Sequence, residues 1–239
     1  MKFDVLTLFP EMFAAYLQES ILGRAIKRGL VDVRLVNIRD FARGAHKITD
    51  DRPYGGGDGM VMKPGPIHRA LESVKNPDGQ GLSVLLSPQG RLFDQCTAWE
   101  MTKQDQVILV CGRYEGIDER IRLTSIDMEL SIGDYVLSGG ELGAMVVIDA
   151  VSRLIPGVLG GERSRLEESF EDGLLEYPQY TRPRVFQGKE VPPVLLSGDH
   201  EKIRLWRRRE SLMRTLKRRT DLLQEAKLTP EDKAILAEL

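Results

Sequence analysis

The chain has 239 residues, 41% of them hydrophobic and 29% charged, with a formal net charge of -2. That balance excludes an extended disordered polymer. No apolar run reaches the ~18 residues a membrane helix needs, and two cysteines, Cys96 and Cys111, make neither a disulfide framework nor a CxxC metal clip. The opening MKFDVLTLFPEMF carries one early Lys, and Asp4 and Pro10 interrupt its apolar stretch, so a secretory signal is not expected. A cytoplasmic protein without membrane association is the expectation. At about 100–200 residues per domain, the length predicts one large domain, alone or with a small companion.

Phe3 to Leu8 predicts a strand, and Glu11 to Lys27 an amphipathic helix closed by Gly29. Val31 to Ile38 alternates as a second strand. The glycine-rich run YGGGDGM at 54–60 precedes a helix from Pro66 to Val74. Then come LSVLLSP (82–88), a helix from Asp94 to Thr102, VILVCGRY (107–114) and a short helix starting at Asp118. A strand-like stretch at 126–137 leads through Ser138-Gly139-Gly140 into a helix running to Leu154. Short apolar runs separated by helices predict a parallel sheet covered on both faces.

Pro156 and Gly157 end that pattern. The stretch GGERSRLEES at 160–169 is glycine-rich, charged and aperiodic, and reads as a flexible linker. Residues 177–198 are proline-punctuated and irregular. A basic helix follows, then a short one opening at Thr229-Pro230 with Thr229 as N-cap. The expected organisation is an α/β domain over 1–159, a linker over 160–169 and a small, mostly helical domain over 170–239.

Charge is unevenly spread. Residues 201–219 hold nine Lys or Arg and two Glu, a balance of +7, so the rest of the chain sums to -9. Leu205, Leu212 and Leu216 fall on one helical side, with Trp206 and Met213 at its edge. Such a run is often only a solvated helix face; on an otherwise acidic chain it is also a local positive field that attracts phosphate backbones.

Open α/β sheets bind ligands beyond the carboxyl ends of their strands. LSPQG (86–90), CGRYEG (111–116) and SIGDYVLSGG (131–140), with the earlier YGGGDGM, leave strand ends rich in glycine or proline. One such loop makes a turn; several in succession point to a shared pocket where backbone groups approach a ligand. The familiar alternatives fail. There is no GxxxxGK[ST] and no GxGxxG after the first strand. His46, His68 and His200 lie far apart without metal-ligand spacing, and no GxSxG elbow is present. Glu167, Glu168, Glu171 and Asp172 cluster around the end of the linker; they either cap the next segment or supply a general base. Arg153, late in the last helix of the first domain, is either a surface group or a stabiliser of developing negative charge.

LTLFPEMF, DDRPYGGGDGMVM, LSPQGR, CGRYEGIDER, SIGDYVLSGGELGAM, SRLIPGVLG, ESFEDGLLEYPQYTRP and VPPVLLSGDH resemble, in order, the TrmD family of bacterial tRNA (guanine-N1)-methyltransferases, over nearly the whole chain. The resemblance implies a SPOUT-type α/β domain with a deep trefoil knot, an exception to the rule that chains avoid threading their own loops. It implies a homodimer with the active site at the subunit interface, S-adenosylmethionine as methyl donor, and Mg2+ as an aid that the residues alone do not show. Pro88, Gly112, Tyr114, Glu115 and Gly116 match the family's donor loops, as do Ile132, Gly133, Asp134, Tyr135, Val136, Leu137, Gly139 and Gly140. Arg153 matches the catalytic arginine. Glu168 stands where the family carries a catalytic aspartate, Asp58 replaces an expected proline and Gln179 an expected histidine.

The implied reaction is methylation of guanine N1 at tRNA position 37, giving 1-methylguanosine. Glu168 would take the N1 proton, Arg153 would offset charge moving onto O6, and Arg207, Arg208, Arg209 and Arg214 would hold anticodon-stem phosphates. No residues are assigned as metal ligands. The alternatives are a knotted ribose 2′-O-methyltransferase and an RNA-binding module without catalysis.

Overall fold

A computed structural model describes residues 1–76, 81–160 and 168–239, and the chain divides into two units, Met1–Gly160 and Gly161–Leu239. In the first unit, β1 (Lys2–Thr7) and β2 (Asp32–Asn37) come first. A two-residue pair, β3 (Asp50–Asp51) and β4 (Val61–Met62), flanks the glycine-rich run. β5 (Leu82–Leu92), β6 (Gln106–Cys111) and β7 (Met128–Ser131) follow. The main sheet has the order β2-β1-β6-β5-β7, and every pairing in it is parallel.

Alternation along the strands explains the core. Phe3, Val5, Val84, Leu86, Val107, Leu109 and Cys111 point to one face, where α2 (Ser20–Lys27), α4 (Gln95–Met101) and α6 (Glu141–Leu154) cover them. Leu6, Leu85, Ile108 and Val110 point to the other, against α3 (Pro64–Val74) and Ile121 of α5 (Glu119–Ser125). On α6, Ala144, Val147, Ile148 and Val151 keep helical spacing and are all buried. Each fully buried Leu, Ile or Val contributes roughly 1.5–3 kcal/mol. The expectation of a parallel sheet with helices on both faces is met. All six residues of central β6 are buried, which is why that strand reads as an unbroken apolar run.

Three boundaries differ from the sequence reading. The helix expected over 11–27 is broken into a 3₁₀ turn at Pro10–Phe13, α1 (Ala14–Gln18) and α2. Glu19 is extended and Ser20 has a left-handed φ of 57°, a conformation that stops an α-helix but leaves the amphipathic spacing intact. The strand-like stretch at 126–137 is paired only over Met128–Ser131, because Gly133 at φ 143° turns the chain out of the sheet. β5 runs on to Leu92, past a bulge at 87–90.

In the second unit a hairpin of β8 (Val185–Phe186) and β9 (Lys189–Glu190) precedes α7 (His200–Arg218), α8 (Thr220–Glu225) and α9 (Pro230–Ala237). Asp199 caps α7 by accepting from the Lys202 amide at 3.1 Å. Thr229 and Asp232 form a reciprocal capping box at α9, as the Thr229-Pro230 pair predicts. Leu212 is fully buried, with Leu205 and Leu216 half-buried beside it. Residues 161–167 of the expected linker, Glu167 among them, lie outside the described residues.

Candidate active site

A cleft of about 340 Å³ opens beyond the carboxyl ends of β5, β6 and β7, lined by residues 85–89, 112–117, 129–133 and 135–140. Two irregularities shape it. Between Leu86 and Arg91, both opposite Leu130, four residues bulge out of β5. Gly90 closes that bulge so tightly against the Glu129–Leu130 backbone that a Cβ there would collide with it. On the opposite wall Gly140 donates to the Gly112 carbonyl at 3.0 Å, and a Cβ on Gly140 would lie 2.8 Å from Cys111 Cα. The walls can meet this closely only with glycine.

The cleft gathers twelve of the expected donor-site residues: Pro88, Gly112, Tyr114, Glu115, Gly116, Ile132, Gly133, Tyr135, Val136, Leu137, Gly139 and Gly140. Asp134 is not among its lining residues. Tyr114 sits at φ 60°, uncommon for a residue with a side chain. Tyr135 and Val136 are 54% and 89% exposed at the rim, apolar surface that a bound ligand would cover. Tyr135 folds back, donating to the Ile132 carbonyl at 3.0 Å. At the other end Arg122 is held between Glu119 and Glu129, which raises its pKa. Cys111 lies fully buried under the cleft, and burial, followed by the Glu141 charge, pushes its thiol well above its ordinary range.

The YGGGDGM loop is fixed to the cleft wall. The Glu115 amide donates to the Met60 carbonyl at 3.0 Å, and the Met62 amide to Gly116 at 2.9 Å. A Cβ on Gly59 would touch the Glu115 carboxylate. Asp58 is exposed in this loop. The sequence showed the loop's composition, but not that backbone hydrogen bonds join it to residues 115–118.

Arg153 lies half-buried in the last turn of α6, in the first unit. Glu168 is half-buried in the second. On α7 the arginines fall into two groups. Arg208 donates to Asp232 at 2.6 and 2.9 Å and also pairs with Asp172, so its fork joins α7 to α9 rather than facing solvent as a simple phosphate contact. Arg204 pairs with Glu201 and Glu231, and Arg219 with Asp221. Arg207 stacks on Tyr177, its guanidinium carbon 4.8 Å from the ring centroid. Arg209 is exposed and Arg214 half-buried; among the described residues neither has an ion pair. Gln179 pairs with Glu176.

A parallel α/β unit with glycine-walled loops beyond its strand ends defines a small-molecule-binding enzyme of the open-sheet class. The tRNA (Guanine-1)-methyltransferase TrmD family model matches residues 1–225. The chain is 58% identical to a tRNA (guanine-N(1)-)-methyltransferase of Pelotomaculum thermopropionicum, covering 100% of this chain and 96% of that one. It is 56% identical to one from Geobacter metallireducens, over 100% and 98%, and 55% identical to one from Moorella thermoacetica, over 100% and 96%. The chain belongs to the TrmD family, and it is a methyltransferase.

Sequence reasoning missed the network in which buried Thr7 and Glu141, behind the cleft, hold Arg113, which lines it. Their signal was weak: a Glu placed directly after a glycine pair at a helix start, where the chain turns buried.

Proposed function

We propose that the protein methylates N1 of guanine at tRNA position 37, using S-adenosylmethionine, to give 1-methylguanosine. The carrying observation is the glycine-walled cleft, whose volume lies at the lower end of the range for small-molecule sites. Its backbone-rich walls and apolar rim suit an adenosine with an apolar, sulfur-bearing chain. When bound, S-adenosylmethionine supplies a methyl group activated by its sulfonium. Backbone groups of 112–116, 132–133 and 135–140 would orient it, while Tyr114, Tyr135 and Val136 would exclude water from it.

Guanine N1 is protonated at neutral pH and is a poor nucleophile. Glu168 would accept that proton as the N1–CH3 bond forms and the donor's S–CH3 bond breaks, its sulfur leaving as a neutral thioether. Arg153 places a permanent positive charge for the negative charge that moves onto O6. Arg209 and Arg214, with Arg207, meet stem phosphates. Arg208 acts mainly by holding α7 and α9 together. Among the described residues no group of three or more His, Cys, Asp or Glu gathers to hold a metal ion.

In this reading residues 1–159 bind the donor in a trefoil-knotted SPOUT fold and 170–239 bind tRNA. The protein acts in the cytoplasm as a homodimer that shares its active site between subunits. No helix among the described residues is long and apolar enough to cross a membrane. Phe9, Met12, Leu142 and Val146, exposed on and beside α6, supply apolar surface that a second copy would cover.

Methyl transfer from labelled S-adenosylmethionine to two transcripts, with guanine or adenine at position 37, tests the reading. Label only on the guanine transcript, recovered as 1-methylguanosine, is expected. Equal labelling of both, or an alkali-resistant ribose product, would overturn it.

A further inference from the structure

The first unit hides a carboxylate behind the cleft. Glu141 opens α6 and is 1% exposed, where an unpaired charge would be strongly destabilising. It is not unpaired. The Thr7 hydroxyl donates to its Oε1 at 2.8 Å, and Arg113 Nε donates to its Oε2 at 3.0 Å.

Arg113 then does more than neutralise it. Its Nη1 donates to the Ser138 carbonyl at 3.2 Å. Its guanidinium carbon lies 4.4 Å from the centre of the Phe9 ring, and its Nη2 lies 3.3 Å from Met12 Sδ. Gly139 backs directly onto this group: a Cβ there would collide with Arg113 Nε and lie 2.6 Å from Glu141 Oε2. The backbones of Arg113 and Gly139 also form an isolated antiparallel bridge. One planar cation thus joins three segments: the end of β1 with the turn after it, the 112–116 wall of the cleft and the 138–141 wall.

Those two walls are rich in glycine, and glycine loops have the most conformational freedom to lose when a ligand orders them. A site that works through backbone groups must have its loops fixed beforehand, because ordering them at the moment of binding subtracts from affinity. We infer that Arg113, anchored by Glu141 and Thr7, is a positioning residue for the methyl donor, holding the two cleft walls at the separation that lets their backbone groups face one ligand. The inference rests on S-adenosylmethionine being the ligand of this cleft. The role requires arginine: three partners in one plane and an aromatic face suit a rigid guanidinium fork, whereas a lysine ammonium is a single point charge on a flexible stem.

The test measures S-adenosylhomocysteine affinity by calorimetry, together with kcat and KM for each substrate, in the full-length protein. Arg113→Lys should weaken donor binding about 10-fold, and Arg113→Ala on the order of 100-fold. The KM for S-adenosylmethionine should rise in parallel while the KM for tRNA stays within about twofold. Thr7→Val, nearly isosteric and leaving the ion pair in place, should give a smaller loss of donor affinity in the same direction. An Arg113→Ala protein that melts like the parent and binds donor equally well overturns the role. So does one whose donor KM, tRNA KM and kcat all worsen together, since that marks general damage rather than positioning; Thr7→Val decides the matter if Arg113→Ala does not fold, because parent-like donor affinity in Thr7→Val overturns it too. A parent protein that binds no S-adenosylhomocysteine overturns the donor reading itself, which is a separate outcome from variants that bind as the parent does.

Discussion

The first unit covers both faces of its sheet with apolar side chains, whereas the described part of the second fully buries only two, Leu174 and Leu212, beside Ser211, Thr215 and Asp232. With so small an apolar core, the second unit relies on oriented polar contacts. The Leu175 amide donates to Thr215 Oγ1 at 2.9 Å, and Arg208 ties α7 to Asp232 and Asp172. The difference teaches how a strongly basic helix can hold a unit with little apolar core: some of its cations are used internally, while Arg209, Arg214, Lys217 and Arg218 have no ion pair among the described residues and remain as local positive charge.

Changes at five residues would break or sharpen that contrast. The largest effect is expected at Glu168. Glu168→Gln keeps the shape and removes the base, so kcat should fall about 10²–10⁴-fold while donor affinity in calorimetry stays unchanged; near-normal turnover would remove Glu168 from the mechanism. Glu168→Asp should retain activity, and a faster rate would mean that the extra methylene misplaces the carboxylate.

Next comes the apolar core. Leu109→Ala, in the central strand, should destabilise the first unit by about 2–5 kcal/mol, read as a lower midpoint in urea. Asp232 follows. Its hydrogen bonds from Arg208, foremost, and from Thr229 hold its pKa at about 2, below the ordinary 3.8. Because the folded pKa is depressed, the stability it contributes is present above pH 3.8 and disappears as pH falls towards 2. Asp232→Asn should therefore cost about 2 kcal/mol at pH 6 and progressively less as the pH is lowered, seen in melts of the second unit. The smallest effect is expected at the surface: Arg209→Ala or Arg214→Ala should weaken tRNA binding and reduce the slope of log affinity against log salt by about 1 each, with the melting temperature unchanged.

Much of this architecture was legible in the residues. The short apolar runs VILVC and LSVLLS announced strands buried on both faces, and Thr229-Pro230 announced a capped helix. Illegible were features set by single backbone conformations or distant partners. Ser20 breaks the first helix through its own φ, and no change in polarity marks the position. The β5 bulge depends on where Leu130 pairs. Glycine-rich loops leaving strand ends were readable as a shared pocket, and twelve of the residues that the resemblance assigns to the donor line the cleft, whereas Asp134 does not. That Arg208 pairs with Asp232 and Asp172, 24 and 36 residues away, leaves no periodic trace in the sequence. The Thr7–Glu141 bond spans 134 positions, beyond any local pattern.

The proposed function divides the labour between two copies: Arg153 of one would act with Glu168 of the other. Co-expression of Arg153→Ala and Glu168→Ala chains carrying different tags, followed by purification of the mixed dimer, tests it directly. Each variant alone should be inactive, and the mixed dimer should recover about half the activity of the parent dimer, because one of its two sites would then hold both intact residues. A mixed dimer no more active than either variant would contradict the account.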